Sequence, residues 1–240
     1  MHVQGMSLLT VMCATFDYTG KMQMESFTEK MLRFQLESRS GEIMAKKVVA
    51  IVGSYRKGGT VDTAVEAVLE GARERGAETN KIYLIDQHIE YCQNCRACTQ
   101  PQGERPGECV IEDDMKAILR ELQSADAIVL GSPVNFYNVT AVFRTFVERL
   151  LGCMYWPWGQ HGPKPRSKEL PRKSVLVASM AAPSIFLPFA TGVPRILRIT
   201  ANCLGARPVA KLWIGLAAQN AKPQISERVL RKARRIGAEL

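Results

Sequence analysis

The sequence lacks any apolar run that approaches the length of about 20 residues needed to span a membrane. Residues 6–16 are apolar, but they are too few for a span and no basic residues precede them, so they do not resemble a secretory signal. These absences predict a protein without a membrane span, in the cytoplasm.

The sequence also lacks any nucleic-acid reader motif, and no basic stretch is interleaved with aromatic residues. The formal net charge is nevertheless +9, because 32 lysines and arginines outnumber 23 aspartates and glutamates. Much of this surplus lies in residues 164–173 and 228–235, where solvated loop and helix surface accounts for it. Anionic ligands would explain part of the rest. We therefore expect no nucleic-acid partner.

A disulfide scaffold is not indicated either, because the chain has seven cysteines, an odd number, and four of them crowd into one segment. Internal repeats and low-complexity tracts are absent. The hydrophobic content of 46% is ordinary for a globular protein with a core. We predict one domain over residues 44–240 and an N-terminal extension, 1–43, that is not part of the core fold. Within the extension, residues 26–36 are compatible with a short helix.

Predicted strands and helices alternate along residues 44–240, which indicates βαβ units and a parallel sheet. The predicted strands cover residues 47–53, 79–85, 125–131, 174–180 and 208–214. The first predicted helix begins at Val61, and the later ones cover residues 113–123, 139–151, 192–204 and 225–236. Five strands with flanking helices match a doubly wound sheet in the strand order 2-1-3-4-5.

The first predicted strand runs into a loop of small, hydroxylic and basic residues, and a helix follows. Such a loop brings free backbone N–H groups and a helix N-terminus to one point, which attracts a phosphate. Gly53 and Gly58 have the spacing of a Walker A loop, but Gly59 stands where its lysine belongs. The three-glycine Rossmann pattern is absent as well. A solvated turn without a ligand is the alternative interpretation.

This loop resembles the pattern Gly-Ser-x-Arg-x-x-Gly-x-Thr of the NADPH-dependent FMN reductase family, with matches at Gly53, Ser54, Arg56 and Gly59. Thr60-Val61 stands where that family usually has Asn-Thr. The resemblance implies a flavodoxin-like fold with a five-stranded parallel sheet and a cysteine-rich insertion, residues 92–109, after strand two. It also implies that the loop holds the phosphate of FMN. The residues implied in phosphate binding are Ser54, Arg56, Gly59, Thr60 and Val61.

The strand order 2-1-3 places the carboxyl ends of strands one and three side by side, where open α/β sheets bind ligands. Strand three ends in Gly131-Ser-Pro-Val-x-Phe, which resembles the loop that holds the isoalloxazine ring in the same family. Val139-Thr-Ala and Phe146-x-x-Arg149 resemble the helix that follows. Asn135 stands where tyrosine is usual, so an adjacent aromatic residue would contact the ring. A turn packed on the core is the alternative. The residues implied in ring binding are Pro133, Val134, Asn135, Phe136 and Tyr137.

The spacing Cys92-x2-Cys95-x2-Cys98-x10-Cys109 is the most specific pattern in the chain. Three thiolates at steps of three can occupy three corners of an iron-sulfur cubane, and the turn-rich spacer 99–108 can bring the fourth back. Structural zinc prefers two separated Cys-x2-Cys pairs, which are absent. Spacing alone leaves a cluster, a zinc ion and no metal as possibilities.

The cysteine segment resembles that of the iron-sulfur flavoproteins, a branch of the same family. This resemblance implies a [4Fe-4S] cluster on Cys92, Cys95, Cys98 and Cys109, in addition to FMN. It also implies a homodimer or homotetramer, because in that branch the cluster approaches the flavin across a subunit interface. A flavin converts two-electron hydride transfer into one-electron steps, which explains why both cofactors occur together.

The sequence therefore predicts an FMN-dependent oxidoreductase that transfers electrons from NAD(P)H or a ferredoxin-like donor to a small-molecule or protein acceptor. No side chain needs to act as a catalytic acid or base, because hydride transfer occurs at the flavin. One alternative is a cluster-free NAD(P)H-dependent FMN or quinone reductase. Another is a redox- or metal-sensing module that acts on a protein partner. In the long connection 152–173, Trp156 and Trp158 are predicted to cover the flavin or a neighbouring subunit.

Overall fold

In this computed structural model the described residues are 12–16, 22–26, 45–166, 168–219 and 225–240. The chain divides into two units, Met1–Met44 and Ala45–Leu240. In the first unit, strand β1 (Met12–Phe16) pairs antiparallel with β2 (Met22–Ser26). The helix predicted over residues 26–36 lies outside the described residues, apart from Ser26, which ends β2. That residues 1–43 are an extension to the core fold stays a prediction.

The second unit is built on one parallel five-stranded sheet. Its strands are β3 (Lys47–Val52), β4 (Glu78–Tyr83), β5 (Ala127–Pro133), β8 (Arg172–Ser179) and β9 (Ala206–Ile214). Two short strands, β6 (Met154–Tyr155) and β7 (Lys164–Pro165), pair antiparallel in the connection between β5 and β8. The sheet order β4-β3-β5-β8-β9 confirms the predicted order 2-1-3-4-5 and the flavodoxin-like fold class.

Helices cover both faces of the sheet. They are α1 (Thr60–Arg73), α2 (Met115–Gln123), α3 (Ala141–Glu148), α4 (Leu187–Ala190), α5 (Val193–Cys203) and α6 (Glu227–Ala238). Because successive strand residues point to opposite faces, β3 sends Val49 and Ile51 to one core and Val48, Ala50 and Val52 to the other. Helices α2, α3 and α5 cover the first core, and α1 and α6 cover the second.

Glycines allow α1 and α6 to approach closely. A Cβ atom on Gly237 would lie 1.8 Å from the carbonyl oxygen of Val68, and one on Gly71 would lie 1.9 Å from that of Arg234. Because no side chain fits at either position, the two backbones contact each other directly.

The boundaries of two elements differ from the sequence prediction for identifiable reasons. Helix α3 begins at Ala141 rather than at residue 139, because the Thr140 side chain caps it by accepting a hydrogen bond from the Phe143 N–H. The helix ends at Glu148, and a 3₁₀ turn, Arg149–Cys153, follows. Strand β5 continues to Pro133, two residues beyond the prediction, because its pairing with β8 continues to Ser179.

Candidate functional site

The loop between β3 and α1 is closed by its own polar groups. The buried Ser54 hydroxyl accepts a hydrogen bond from the Arg56 N–H (3.1 Å) and donates one to the Arg56 carbonyl (3.2 Å). Gly58 adopts a φ of +71°, and a Cβ on Gly59 would lie 3.0 Å from that of Arg56. These contacts turn the chain sharply into α1.

The first turn of α1 has backbone N–H groups that are free to bind a ligand in the loop. The first hydrogen bond of the helix runs from the Thr63 N–H to the Gly59 carbonyl (2.9 Å), so the N–H groups of residues 60–62 have no intrahelical acceptor. The Arg56 side chain is exposed beside them. The Val61 side chain packs in the core beneath α1, so Val61 can contribute only its backbone to a ligand in the loop. Thr60 is also buried.

Asp62 lies directly beneath this loop, and sequence reasoning missed it. Its buried carboxylate accepts hydrogen bonds from the Gly58 N–H (2.6 Å), the Lys81 ammonium (2.9 Å) and the Tyr83 hydroxyl (3.0 Å). Burial alone would lower the pKa of Lys81, but its hydrogen bonds to Glu66, Tyr83 and Asp62 outweigh that effect and raise it. Lys81 therefore stays protonated and offsets the Asp62 charge close to the loop. An acidic residue in the first turn of a helix was the available signal.

The loop after β5 is a tight and strained turn. Asn135 and Asn138 exchange backbone hydrogen bonds of 2.8 and 3.0 Å. Between them, Phe136 and Tyr137 have φ values of +47° and +64°, the type I′ geometry that normally selects glycine or asparagine. Phe136 is 95% exposed and Tyr137 72% exposed. Two bulky residues thus adopt a left-handed conformation without packing on the core, a pattern that is characteristic of binding sites.

Two hydrogen bonds join this turn region to the first loop, and a third holds Thr140 to the end of β5. The Thr140 hydroxyl donates to the Gly53 carbonyl (2.5 Å), and the Thr140 N–H donates to the Ser132 hydroxyl (3.3 Å). The Ala141 N–H donates to the phenolic oxygen of Tyr55 (3.1 Å). The two loops therefore lie side by side at the carboxyl ends of β3 and β5.

The segment after β8 contributes apolar side chains next to the strained turn. The Gly192 N–H donates to the Tyr137 carbonyl (2.9 Å), which places the start of α5 beside the turn. Just before it, Ile185, Phe186 and Phe189 are exposed. Sequence reasoning did not single out these three side chains.

Of the four cysteines in the 92–109 segment, Cys95 is exposed and the other three are half-buried. Burial raises the pKa of the Cys98 thiol, and the neighbouring thiols of Cys109, Cys92 and Cys95 raise it further. Asn94 and Arg96 flank Cys95 with φ values of +52° and +60°, which turns the chain around that residue. Within the described ranges, no three His, Cys, Asp or Glu side chains are close enough together to hold a metal ion.

A half-buried arginine from the connection after α3 folds the spacer back toward Cys98. The Arg166 guanidinium donates to four carbonyls, those of Gly152 (2.8 Å), Cys98 (2.9 Å), Pro101 (2.7 Å) and Gly103 (3.0 Å). A Cβ on Gly107 would lie 1.8 Å from the Cys98 carbonyl oxygen, so only glycine allows this close approach. The 99–108 spacer thus returns to the first three cysteines, and no local sequence signal identified Arg166.

The two tryptophans of the long connection contact the cysteine segment. The Arg96 guanidinium lies 3.8 Å from the Trp156 ring centroid and 4.1 Å from that of Trp158. It also donates to the Trp156 carbonyl (2.6 Å). The structure therefore pairs these rings with Arg96, and that they cover the flavin or a neighbouring subunit stays a prediction.

Arg149 follows α3 and reaches the fourth cysteine. Its guanidinium forms a buried, bidentate ion pair with Asp113 and donates to the Cys109 sulfur at 3.5 Å. Burial alone would raise the pKa of Asp113, but hydrogen bonds from Arg149 and from the N–H groups of Glu90 and Met115 lower it. Sequence analysis singled out Arg149 only as part of the helix after the ring loop.

A cavity of about 1270 Å³ lies behind the cysteine segment rather than at the two loops. Its lining includes Cys98 and Cys109 together with Arg120, Arg149 and Arg172. Two of the four thiols are therefore reached from this cavity.

Comparisons with known proteins place these features in context. A profile described as NADPH-dependent FMN reductase matches residues 46–184. An iron-sulfur flavoprotein of Archaeoglobus fulgidus is 37% identical over 122 residues, which are 51% of this chain and 50% of the relative. An iron-sulfur flavoprotein of Methanosarcina thermophila is 34% identical over 103 residues, or 43% of this chain and 51% of the relative. The chain thus spans about half the length of the curated relatives it matches.

Solved structures agree with the fold. An NAD(P)H:quinone oxidoreductase from Methanothermobacter marburgensis aligns with a TM-score of 0.59 and 19% identity, over 81% of this chain and 96% of the other. An FMN-dependent NADH-azoreductase from Bacillus anthracis, solved with FMN, aligns with a TM-score of 0.58 and 14% identity, over 82% and 97% of the two chains.

The parallel sheet and the two joined loops at its carboxyl edge define a flavodoxin-like α/β protein. The match over residues 46–184 covers more than half of the chain. The protein therefore belongs to the NADPH-dependent FMN reductase family.

Proposed function

We propose that this protein is an FMN-dependent oxidoreductase that transfers electrons from a reduced donor to an acceptor. The observation that carries the proposal is the strained turn at Phe136 and Tyr137, whose side chains are exposed. A hydrogen bond holds this turn region beside the first loop, at the same edge of the sheet. A phosphate-type loop beside exposed aromatic rings suits a mononucleotide with a flat heteroaromatic ring. Family membership supports FMN as that mononucleotide.

The residues of both loops fit the two ends of FMN. At the phosphate, Ser54, Arg56, Gly59 and Thr60 would act with the free N–H groups at the start of α1, and Val61 would act through its backbone. The positive end of the helix stabilises an anion there by about 0.3–1 kcal/mol or more. At the ring, the five residues 133–137 would supply backbone amides and aromatic contact.

We also propose that Cys92, Cys95, Cys98 and Cys109 hold a [4Fe-4S] cluster. The donor set fits, because four thiolates are the usual ligands of such a cluster. The spacing of the four cysteines and the names of the curated relatives support the assignment. The Arg149 guanidinium compensates negative charge at Cys109. FMN supplies the exchange between two-electron and one-electron transfer when it is bound.

The remaining roles follow from the same chemistry. NAD(P)H is proposed as a donor because the family is described as NADPH-dependent, and a ferredoxin-like protein is the other donor. No side chain is assigned as a catalytic acid or base.

The exposed Phe136, Phe186 and Phe189 support a homodimer or homotetramer, since exposed apolar clusters commonly mark interfaces. No helix in the described part of the chain is long and apolar enough to cross a membrane.

Anaerobic purification with measurement of flavin, iron and sulfide tests both cofactors. We expect about one FMN and about four irons per chain, with broad visible absorption that dithionite bleaches. Cys95→Ser should lose iron and keep FMN, whereas Phe136→Ala should weaken FMN binding and keep iron. A chain that remains colourless after reconstitution with FMN, iron and sulfide contradicts the proposal.

The second candidate is a cluster-free NAD(P)H-dependent FMN or quinone reductase. It is favoured by the hydrogen bonds that close the two loops, none of which involves a cysteine among the described residues. This candidate predicts flavin bands without iron, and reductase activity that Cys95→Ser leaves unchanged.

A further inference from the structure

The pair formed by Arg149 and Asp113 lies at the base of the cysteine segment. Both side chains are buried, with 1% and 0% of their surface exposed. One nitrogen of the guanidinium donates to the Glu90 carbonyl (2.8 Å), and the other donates to Asp113 (3.1 Å) and to the Cys109 sulfur (3.5 Å). A guanidinium has the planar set of donors that such an arrangement needs.

Asp113 links the two ends of the cysteine segment. Its carboxylate accepts hydrogen bonds from the Glu90 N–H (2.9 Å), two residues before Cys92, and from the Met115 N–H (3.1 Å), after Cys109. The pair therefore closes the chain into a loop that begins and ends at one buried point. The Glu90 carbonyl also holds the guanidinium, and Asp113→Asn would keep an oxygen acceptor for it.

A hydrogen bond from a cation to a cysteine sulfur has a definite electrochemical consequence. Reduction of a thiolate-bound cluster places more negative charge on its sulfurs, so a charge-assisted N–H···S bond stabilises the reduced form more than the oxidised form. Its loss should lower the reduction potential. The Asp113 carboxylate opposes this effect, because it neutralises part of the guanidinium charge.

We propose that Arg149 is a positioning residue that raises the reduction potential of the centre at Cys109, and that Asp113 limits the increase. The inference rests on the proposed cluster. It predicts opposite effects for the two partners of one ion pair, whereas a purely structural pair would loosen the segment in the same way when either partner is changed.

Redox titration of the iron-loaded protein, followed by EPR, tests this prediction. Arg149→Lys keeps a cation that can pair with Asp113, but it loses the planar guanidinium that also donates a hydrogen bond to Cys109. We expect a tenfold lower ratio of reduced to oxidised cluster at a fixed potential, which is about 59 mV for one electron. Asp113→Asn keeps Arg149 and removes its counter-charge, so the ratio should rise by a similar factor.

Matched controls lie close by in the chain. Arg144→Lys changes an exposed arginine of α3 that pairs with Glu148, and Glu112→Gln changes an exposed carboxylate that pairs with Lys116. Neither contacts a cysteine among the described residues, so both should leave the potential unchanged.

The outcomes separate this inference from the proposed function. Shifts in opposite directions support it, and shifts in the same direction, or none, refute it. If Arg149→Lys loses its iron, Asp113→Asn decides, and an unchanged or lowered potential there refutes the inference. A wild-type protein that binds FMN without iron refutes the proposed cluster, and this inference with it.

Discussion

Replacing Phe136 and Tyr137 by Asn and Gly should stabilise the FMN-free protein while it weakens FMN binding. Both residues have positive φ, at +47° and +64°, and the left-handed region costs a bulky residue about 1–2 kcal/mol. Asn tolerates this region, and Gly adopts it freely, although Gly carries an entropic cost of about 0.5–1 kcal/mol. Neither wild-type ring is buried, so little packing is lost.

The net gain should therefore be about 1–2 kcal/mol in the free energy of unfolding. For a chain of this size, about 1 kcal/mol corresponds to about 2–4 °C, so Tm should rise by roughly 2–8 °C. Thermal denaturation of FMN-free protein, followed by circular dichroism, measures the change. Loss of two aromatic contacts, each worth about 0.5–1.5 kcal/mol, should weaken FMN binding about tenfold or more in a fluorescence titration.

Phe136→Ala is the matched control, because alanine keeps the positive φ and its strain but removes the ring. It should weaken FMN binding without raising Tm. A double variant that melts lower than wild type, or one that binds FMN equally well, would refute the link between strain and ligand binding at this turn.

Three further predictions concern the supports of the fold and of the cysteine segment. Arg166→Gln removes charge-assisted hydrogen bonds to the carbonyls of Cys98, Pro101 and Gly103, so limited proteolysis should cleave the 99–108 spacer faster. The neighbouring Lys168→Gln should not change the rate. Gly237→Ala places a Cβ 1.8 Å from the Val68 carbonyl and should cost about 1–3 kcal/mol in urea unfolding, whereas Gly162→Ala, with nothing within 4 Å, should be near neutral. Burial raises the pKa of the Cys153 thiol from 9.0 to about 12. The folded protein therefore disfavours the thiolate. The stability that the Cys153 thiol contributes is fully present below pH 9 and is lost as the pH rises toward 12. Between pH 8 and pH 10, wild type should lose about 1.4 kcal/mol more stability than Cys153→Ala, and an equal loss in both would contradict this reasoning.

The succession of strands and helices was predictable because it depends on local periodicity. The run at residues 47–52 is apolar on both faces, and α1 shows helical spacing, so each element identifies itself. The ends of the elements were less predictable. The start of α3 is determined by the Thr140 cap and the end of β5 by its pairing with β8, and both depend on the folded geometry.

The two loops were also predictable, because glycines, hydroxyl groups and aromatic residues follow strands one and three directly in the sequence. Their joining through Tyr55 and Thr140 was not, since those hydrogen bonds link residues 86 and 87 positions apart. The same holds for Arg166, which reaches Cys98 across 68 positions, and for Arg149, which reaches Cys109 across 40.

The sequence by itself determined the order of elements, the loop chemistry at the strand ends and the spacing of the thiols. Only the tertiary structure decided which buried charges support them: Asp62 beneath the first loop, and Arg149 with Asp113 beneath the cysteines. The physical reason is that local patterns report backbone preference and burial. A buried charge is specified by its partners, and chain folding brings those partners together from distant positions.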